Sequence, residues 1–127
     1  MLNDIIWIGA GGFLGANARY LLSTWIARTV DPTLPWGTVT VNALGSMIIG
    51  AFLFWAGERI AITPDLRLFV AVGFCGSFTT FSSFAFETIH LFEQGHWLSA
   101  TGNIFLNNIL ALAAVLAGMA LMKWATS

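Results

Sequence analysis

Residues 66–92 form an apolar stretch long enough to cross a bilayer, yet its middle reads Gly73-Phe74-Cys75-Gly76-Ser77-Phe78-Thr79-Thr80-Phe81-Ser82-Ser83-Phe84. Two glycines and five hydroxyl residues therefore stand at membrane depth. Lipid offers an opened backbone no hydrogen bonds, so this segment either stays helical or is shielded by protein or a wet cavity. A polar, glycine-punctuated break near the midplane is thus a candidate ion site. Phe78, Phe81 and Phe84 recur every three residues and are expected to share roughly one helix face through the break.

The remaining chain offers no soluble core to carry this segment. Only 9% of its 127 residues are charged and 57% are hydrophobic, against about 25% charged in ordinary globular chains. The long uncharged runs are of bilayer length, ~20 residues each. They predict an all-α membrane protein with helices over about 5–26, 36–57, 66–92 and 97–122, the third broken. Pro32 and Pro35 end the first span, Glu58, Arg59, Pro64 and Asp65 mark a short loop, and Glu93-Gln94-Gly95-His96 turns the chain. Such short connections make an up-down-up-down bundle, a single transmembrane domain over residues 1–127. Tryptophans 7, 25, 36, 55, 97 and 124 fall near the expected span ends, as an interfacial belt requires. The acidic start Met-Leu-Asn-Asp argues against a cleaved signal peptide. Net charge of −1 gives no hint of nucleic acid, and the lone Cys75 reads as a packing thiol.

Orientation follows the lysine and arginine bias of the loops. Arg59, Arg67 and Lys123 fall on one side, Arg19 and Arg28 on the other. Three against two is close to a tie. Either a partner or insertion factor decides, or the chain inserts both ways, in which case an antiparallel homodimer is the natural assembly.

Polar residues line the spans at helical spacing. Thr38, Asn42, Ser46 and Gly50 repeat by four on the second span, and Asn103, Asn107 and Ala111 on the fourth, with Asn108 beside them. They serve either as glue between membrane helices or as the wall of a polar path. Four thin helices scarcely hide this polarity and also enclose a pore, so dimerisation is the simpler arrangement. Gly9, Gly11, Gly12 and Gly15 read as a close-packing face of the first span. Arg19 and Glu87 fall in the same half of the membrane and are expected to pair, to line one water-filled vestibule, or to snorkel to the interface.

No His/Cys/Asp/Glu cluster has metal spacing, no G-x-S-x-G surrounds a serine, and His90 and His96 lie near a loop. Enzymatic activity is not expected. The wall offers neutral donors and phenylalanine rims, which carry the positive end of the ring quadrupole. The helix beginning after the break also favours negative charge at its N-terminus. Neutral donors suit conduction, since an ion must bind well enough to enter and weakly enough to leave. A small, strongly hydrated anion fits such a wall.

Residues 73–84 with Glu87 resemble the third-helix signature of the Fluc/CrcB family of fluoride channels. Gly11-Gly12-Phe13-Leu14-Gly15-Ala16-Asn17-Ala18-Arg19-Tyr20 is similar to that family's first helix. Gly37-Thr38, Val41-Asn42-Ala43-Leu44-Gly45-Ser46 and Gly50 are similar to its second. The resemblance implies an antiparallel, dual-topology homodimer in a bacterial cytoplasmic (inner) membrane, with two fluoride pathways. It implies pathway roles for Phe81, Phe84, Asn42 and Thr38, with Thr80 and Ser82 as a polar track beside the rings. Gly76 and Thr79 match positions whose backbone carbonyls, from both subunits, hold a central structural sodium ion (Na+). Along the fourth helix some members carry tyrosine, serine and serine, where this chain has Asn103, Asn107 and Ala111. Asn107 is accordingly expected on the pathway with altered donors.

The resemblance also implies as partners the fluoride ion, the lipid bilayer and a second copy of the chain, and no nucleic acid. Two rivals are weighed on the residues. A small multidrug exporter is expected to centre a carboxylate in the first span, which here holds only Asp4 at its start. A non-transporting assembly subunit would use the polar stripes for packing alone.

Overall fold

The computed structural model describes residues 1–58 and 62–127, and among these every regular element is helical. Helix α1 spans Leu2–Thr29 and α2 spans Trp36–Glu58. Pro64–Arg67 leads without interruption into π-helical Leu68–Cys75 and then Gly76–Phe78, together α3. After two extended residues α4 spans Phe81–Glu93, and α5 spans Trp97–Thr126. Each helix matches or slightly overruns the limits expected from hydropathy. Arg59, one of the charges used to weigh orientation, lies outside the described residues.

Local chemistry sets the ends. Beyond α1, the Asp31 carboxylate accepts from the Thr33 N–H (2.9 Å) and hydroxyl (2.8 Å), forming an Asx turn ahead of α2. These two bonds hold the exposed Asp31 carboxyl below its ordinary range. Thr63 caps α3 by accepting from the Leu66 N–H (3.3 Å), and Pro64 occupies the first turn, where its missing N–H costs nothing. Between α4 and α5, the His96 N–H reaches back to the Leu91 carbonyl (2.9 Å) and the Gly95 N–H to that of Phe92 (3.0 Å). That pattern needs a left-handed residue, and Gly95 supplies it with φ +79°.

Among the described residues three segments are long and apolar enough to cross a membrane: Trp36–Glu58, Pro64–Glu93 and Trp97–Thr126. The protein is accordingly an integral membrane protein. The first expected span, α1, is long enough at 28 residues but less apolar, because Asn3, Asp4, Asn17, Arg19, Arg28 and its glycines dilute it.

Glycines allow the helices to meet backbone to backbone. A Cβ added at Gly11 or Gly15 would overlap the carbonyls of Phe69 and Phe74, and one at Gly73 would meet the Ile8 carbonyl. The π-helical stretch of α3 therefore lies directly on α1, with no side chain between. Gly118 and Gly50 do the same where α5 crosses α2, against Met47 and Val115. Small residues at such crossings are the means by which membrane helices gain dispersion contact. Gly9 meets nothing within 4 Å.

Candidate functional site: a broken helix between two cavities

The break occupies Thr79 (ψ 156°) and Thr80 (φ −147°, ψ 115°), both extended. Its cause is a competition for one donor. In an uninterrupted helix the Thr80 N–H would close a turn on the Gly76 carbonyl. Instead it donates to Asn42 Oδ1 of α2 at 2.7 Å, and Asn42 Nδ2 donates to the Thr80 carbonyl at 3.1 Å. Both polar groups of the Thr80 peptide are thus satisfied from a neighbouring helix, as membrane depth demands. Thr80 then restarts the helix, its hydroxyl accepting from the Ser83 N–H at 3.2 Å.

Upstream carbonyls need other partners. Cys75 accepts from both the Thr79 N–H (3.1 Å) and its hydroxyl (2.9 Å). The Ser77 carbonyl accepts from Arg19 Nε at 3.0 Å, which places a cation at the C-terminal end of α3. The carbonyls of Gly76 and Thr79 accept no hydrogen bond among the described residues.

Two cavities flank the break, and Thr80 is the residue that lines both. The first, about 500 Å³, lies among α1, α2, α4 and the connection after α1; Arg19, Thr38, Ser83 and Glu87 line it. Arg19 and Glu87 make no ion pair there: Arg19 turns to Ser77, and Glu87 Oε1 accepts from the Thr38 hydroxyl at 2.8 Å. The other oxygen, Glu87 Oε2, is buried and has no hydrogen-bond partner among the described residues.

The second cavity is an open groove of about 390 Å³ that gathers Asn42, Gly76, Thr79, Phe81, Phe84 and Asn107. The Phe81 and Phe84 rings lie 5.4 Å apart at 60°. They differ sharply in setting, Phe84 being 9% exposed and Phe81 77%. Phe78 does not join them. The two extended residues interrupt the three-residue repeat, and Phe78 is buried with its ring stacked on Phe74 (5.5 Å, 13°). Ser82 is exposed and lines neither cavity, although its hydroxyl stands 3.4 Å from that of Thr80.

The polar stripes of α2 and α5 meet through Asn42 Nδ2, which also donates to Asn107 Oδ1 at 2.9 Å. Asn107 Nδ2 in turn donates to the carbonyl (3.2 Å) and Oδ1 (2.8 Å) of Asn103. Asn103 is fully buried and donates to the Thr88 hydroxyl at 2.9 Å. Sequence reasoning singled out Asn42 and Asn107 but missed Thr88. The available signal was the spacing Thr80, Phe84, Thr88, which places the three on one face of α4. Both amide hydrogens of Asn42 and both of Asn107 are engaged internally, so an anion can take one only by exchange with an existing bond.

Comparison with known proteins places the chain in a family. The family model described as CrcB-like protein, Camphor Resistance (CrcB), matches residues 6–119. A fluoride-specific ion channel FluC of Koribacter versatilis is 45% identical over 96% of this chain and 97% of its own length. Proteins of the same description are 38% identical in Rhizobium meliloti, over 96% of this chain and 98% of theirs, and 40% in Anaeromyxobacter dehalogenans, over 94% and 95%. A polar break clamped between helices, set in a chain matched from end to end, leads to one conclusion: the protein belongs to the CrcB family.

Proposed function

We propose that the chain is a fluoride-selective channel, not an enzyme, that lets fluoride leave the cell down its electrochemical gradient and so confers fluoride resistance. The observation that carries this reading is the groove at the helix break, walled by neutral amides, hydroxyls and two phenylalanine rings and sharing Thr80 with a second cavity. The relatives named as fluoride-specific ion channels support it. Fluoride meets donors already engaged internally, so each contact it gains replaces one it breaks. Net binding stays weak, as conduction requires.

Arg19 attracts the anion into the first cavity, and Thr38 carries a hydroxyl at the same mouth. Thr80, with Ser82 beside it, passes fluoride to the groove, where Asn42 and Asn107 exchange donors and Phe81 and Phe84 present ring edges. No energy source need be coupled to this path. One charge moved across 100 mV is worth about 2.3 kcal/mol, or roughly fifty-fold in concentration. Fluoride released inside by hydrogen fluoride that entered neutral is thereby expelled across an inside-negative bacterial inner membrane.

The working unit is an antiparallel, dual-topology homodimer. Phe81 stands exposed beside the open groove, and a second copy laid over it would close the path. A structural sodium ion fits the same place. Gly76 and Thr79 offer carbonyl oxygens that the break leaves unpaired, hard neutral ligands suited to a small cation. The pair from each copy would hold the ion and tie the two breaks together. Fluoride efflux from liposomes tests the reading: uncoupled efflux supports it, while absence of efflux, or efflux strictly tied to protons, overturns it.

A further inference from the structure

The hydrogen bonds that clamp the break continue as a single directed relay. Thr80 N–H donates to Asn42 Oδ1 (2.7 Å), Asn42 Nδ2 to Asn107 Oδ1 (2.9 Å), and Asn107 Nδ2 to Asn103 Oδ1 (2.8 Å). Asn103 Nδ2 then donates to Thr88 Oγ1 (2.9 Å), which donates to the Phe84 carbonyl (2.7 Å). The relay leaves α4 at Thr80, crosses α2 and α5, and returns to α4 at Thr88.

Its polarity is fixed from both ends. A backbone N–H only donates and a backbone carbonyl only accepts. Thr80 therefore compels Asn42 to present its oxygen, and the Phe84 carbonyl compels Thr88 to present its hydrogen. Each amide between has one orientation that serves both neighbours, and the reverse of any one would leave buried oxygens facing oxygens. Hydrogen bonds aligned head to tail polarise one another.

We infer that Thr88 and Asn103 are positioning residues for the break: they orient the amides of Asn107 and Asn42 and so hold the Thr80 peptide extended. Neither hydrogen-bonds Thr80 directly. The inference rests on the channel reading for its functional meaning, since an Asn42 amide free to rotate would meet Thr80 and any passing anion in two states instead of one.

The test is chosen so that the two readings fail separately. Thr88→Val keeps the shape of Thr88 but removes the hydroxyl, and Thr88→Ser retains the hydroxyl. Thr88 lies eight residues from Thr80 in the sequence, roughly 12 Å along a helix, beyond the reach of a local perturbation. NMR of the ¹⁵N-labelled full-length protein in lipid nanodiscs should show the Thr80 amide resonance displaced in Thr88→Val and restored in Thr88→Ser. Asn103→Ala removes a different link and should displace the same resonance, so either variant decides if the other does not fold. Fluoride efflux should fall about five-fold in Thr88→Val, the worth of one neutral hydrogen bond, and recover in Thr88→Ser. A Thr80 resonance unmoved in a folded Thr88→Val or Asn103→Ala protein overturns the inference, whatever the efflux. If the resonance moves in the variants but the unsubstituted protein is itself impermeable to fluoride, the relay stands and the channel reading is overturned.

Discussion

Asn42 grips the peptide of Thr80 from both sides, accepting its N–H at 2.7 Å and donating to its carbonyl at 3.1 Å. Through this one contact α2 replaces the helical hydrogen bonds that α3 gives up at the break. The same side chain reaches Asn107 at 2.9 Å, so the opening of the backbone and the joining of the two polar stripes depend on a single amide.

Asn42→Asp keeps the acceptor for the Thr80 N–H but sets carboxylate oxygens against the Thr80 carbonyl and Asn107 Oδ1. It also puts negative charge where an anion passes. Fluoride efflux should fall by at least about ten-fold, since two donated hydrogen bonds are lost together at about 1 kcal/mol each. Normal efflux in this variant would show that Asn42 neither faces the path nor holds the break.

Phe81→Ile and Phe84→Ile separate ring chemistry from packing. The exposed Phe81 contributes little to the stability of one copy, so its replacement should leave folding intact while impairing fluoride conduction. The buried Phe84 should cost about 1–2 kcal/mol of stability as well, less than full truncation of a core aromatic. Near-normal efflux in both would mean that ring edges are unimportant to passage.

Much of this was legible before any coordinates. Charge-free runs of bilayer length and paired prolines set the helices, and glycines and hydroxyls in an apolar run located the break. What hydropathy leaves open is pairing. The stripes of α2 and α5 are visible as fours, but only packing reveals that Asn42 meets Asn107 and not Asn108. Thr88 escaped notice because an isolated threonine in a helix ordinarily bonds back to its own turn, as this one does to Phe84. Its second partner, Asn103, comes from another helix. The shared direction of their spans puts Arg19 and Glu87 in one half-membrane, and they line one cavity, but which partner each takes is set by packing: a helix-end carbonyl for Arg19 and a hydroxyl for Glu87.

Glycine spacing on α1 yields a paired comparison. Gly15→Ala drives a methyl into the Phe74 carbonyl, whereas Gly9→Ala enters open space. The first should lower stability by about 1–3 kcal/mol, as overpacking does. The second should be neutral or stabilising by up to about 1 kcal/mol through helix propensity. Thermal midpoints in detergent measure both, and equal midpoints would contradict the direct contact of α1 with α3.

The sodium ion proposed at the Gly76 and Thr79 carbonyls should, if it is bound there, stabilise the proposed dimer by mass action. Replacing sodium with a large organic cation should lower the dimer's thermal midpoint, and readdition should restore it. A midpoint independent of sodium over a hundred-fold range would remove the ion from the account.

Fluoride efflux from liposomes containing the purified protein addresses the central claim most directly. A fluoride electrode should record rapid efflux once a potassium ionophore relieves the opposing potential, indifferent to an imposed proton gradient, and a chloride electrode should record no release from chloride-loaded vesicles. Vesicles that retain their fluoride, or release it only in step with protons, would contradict the account.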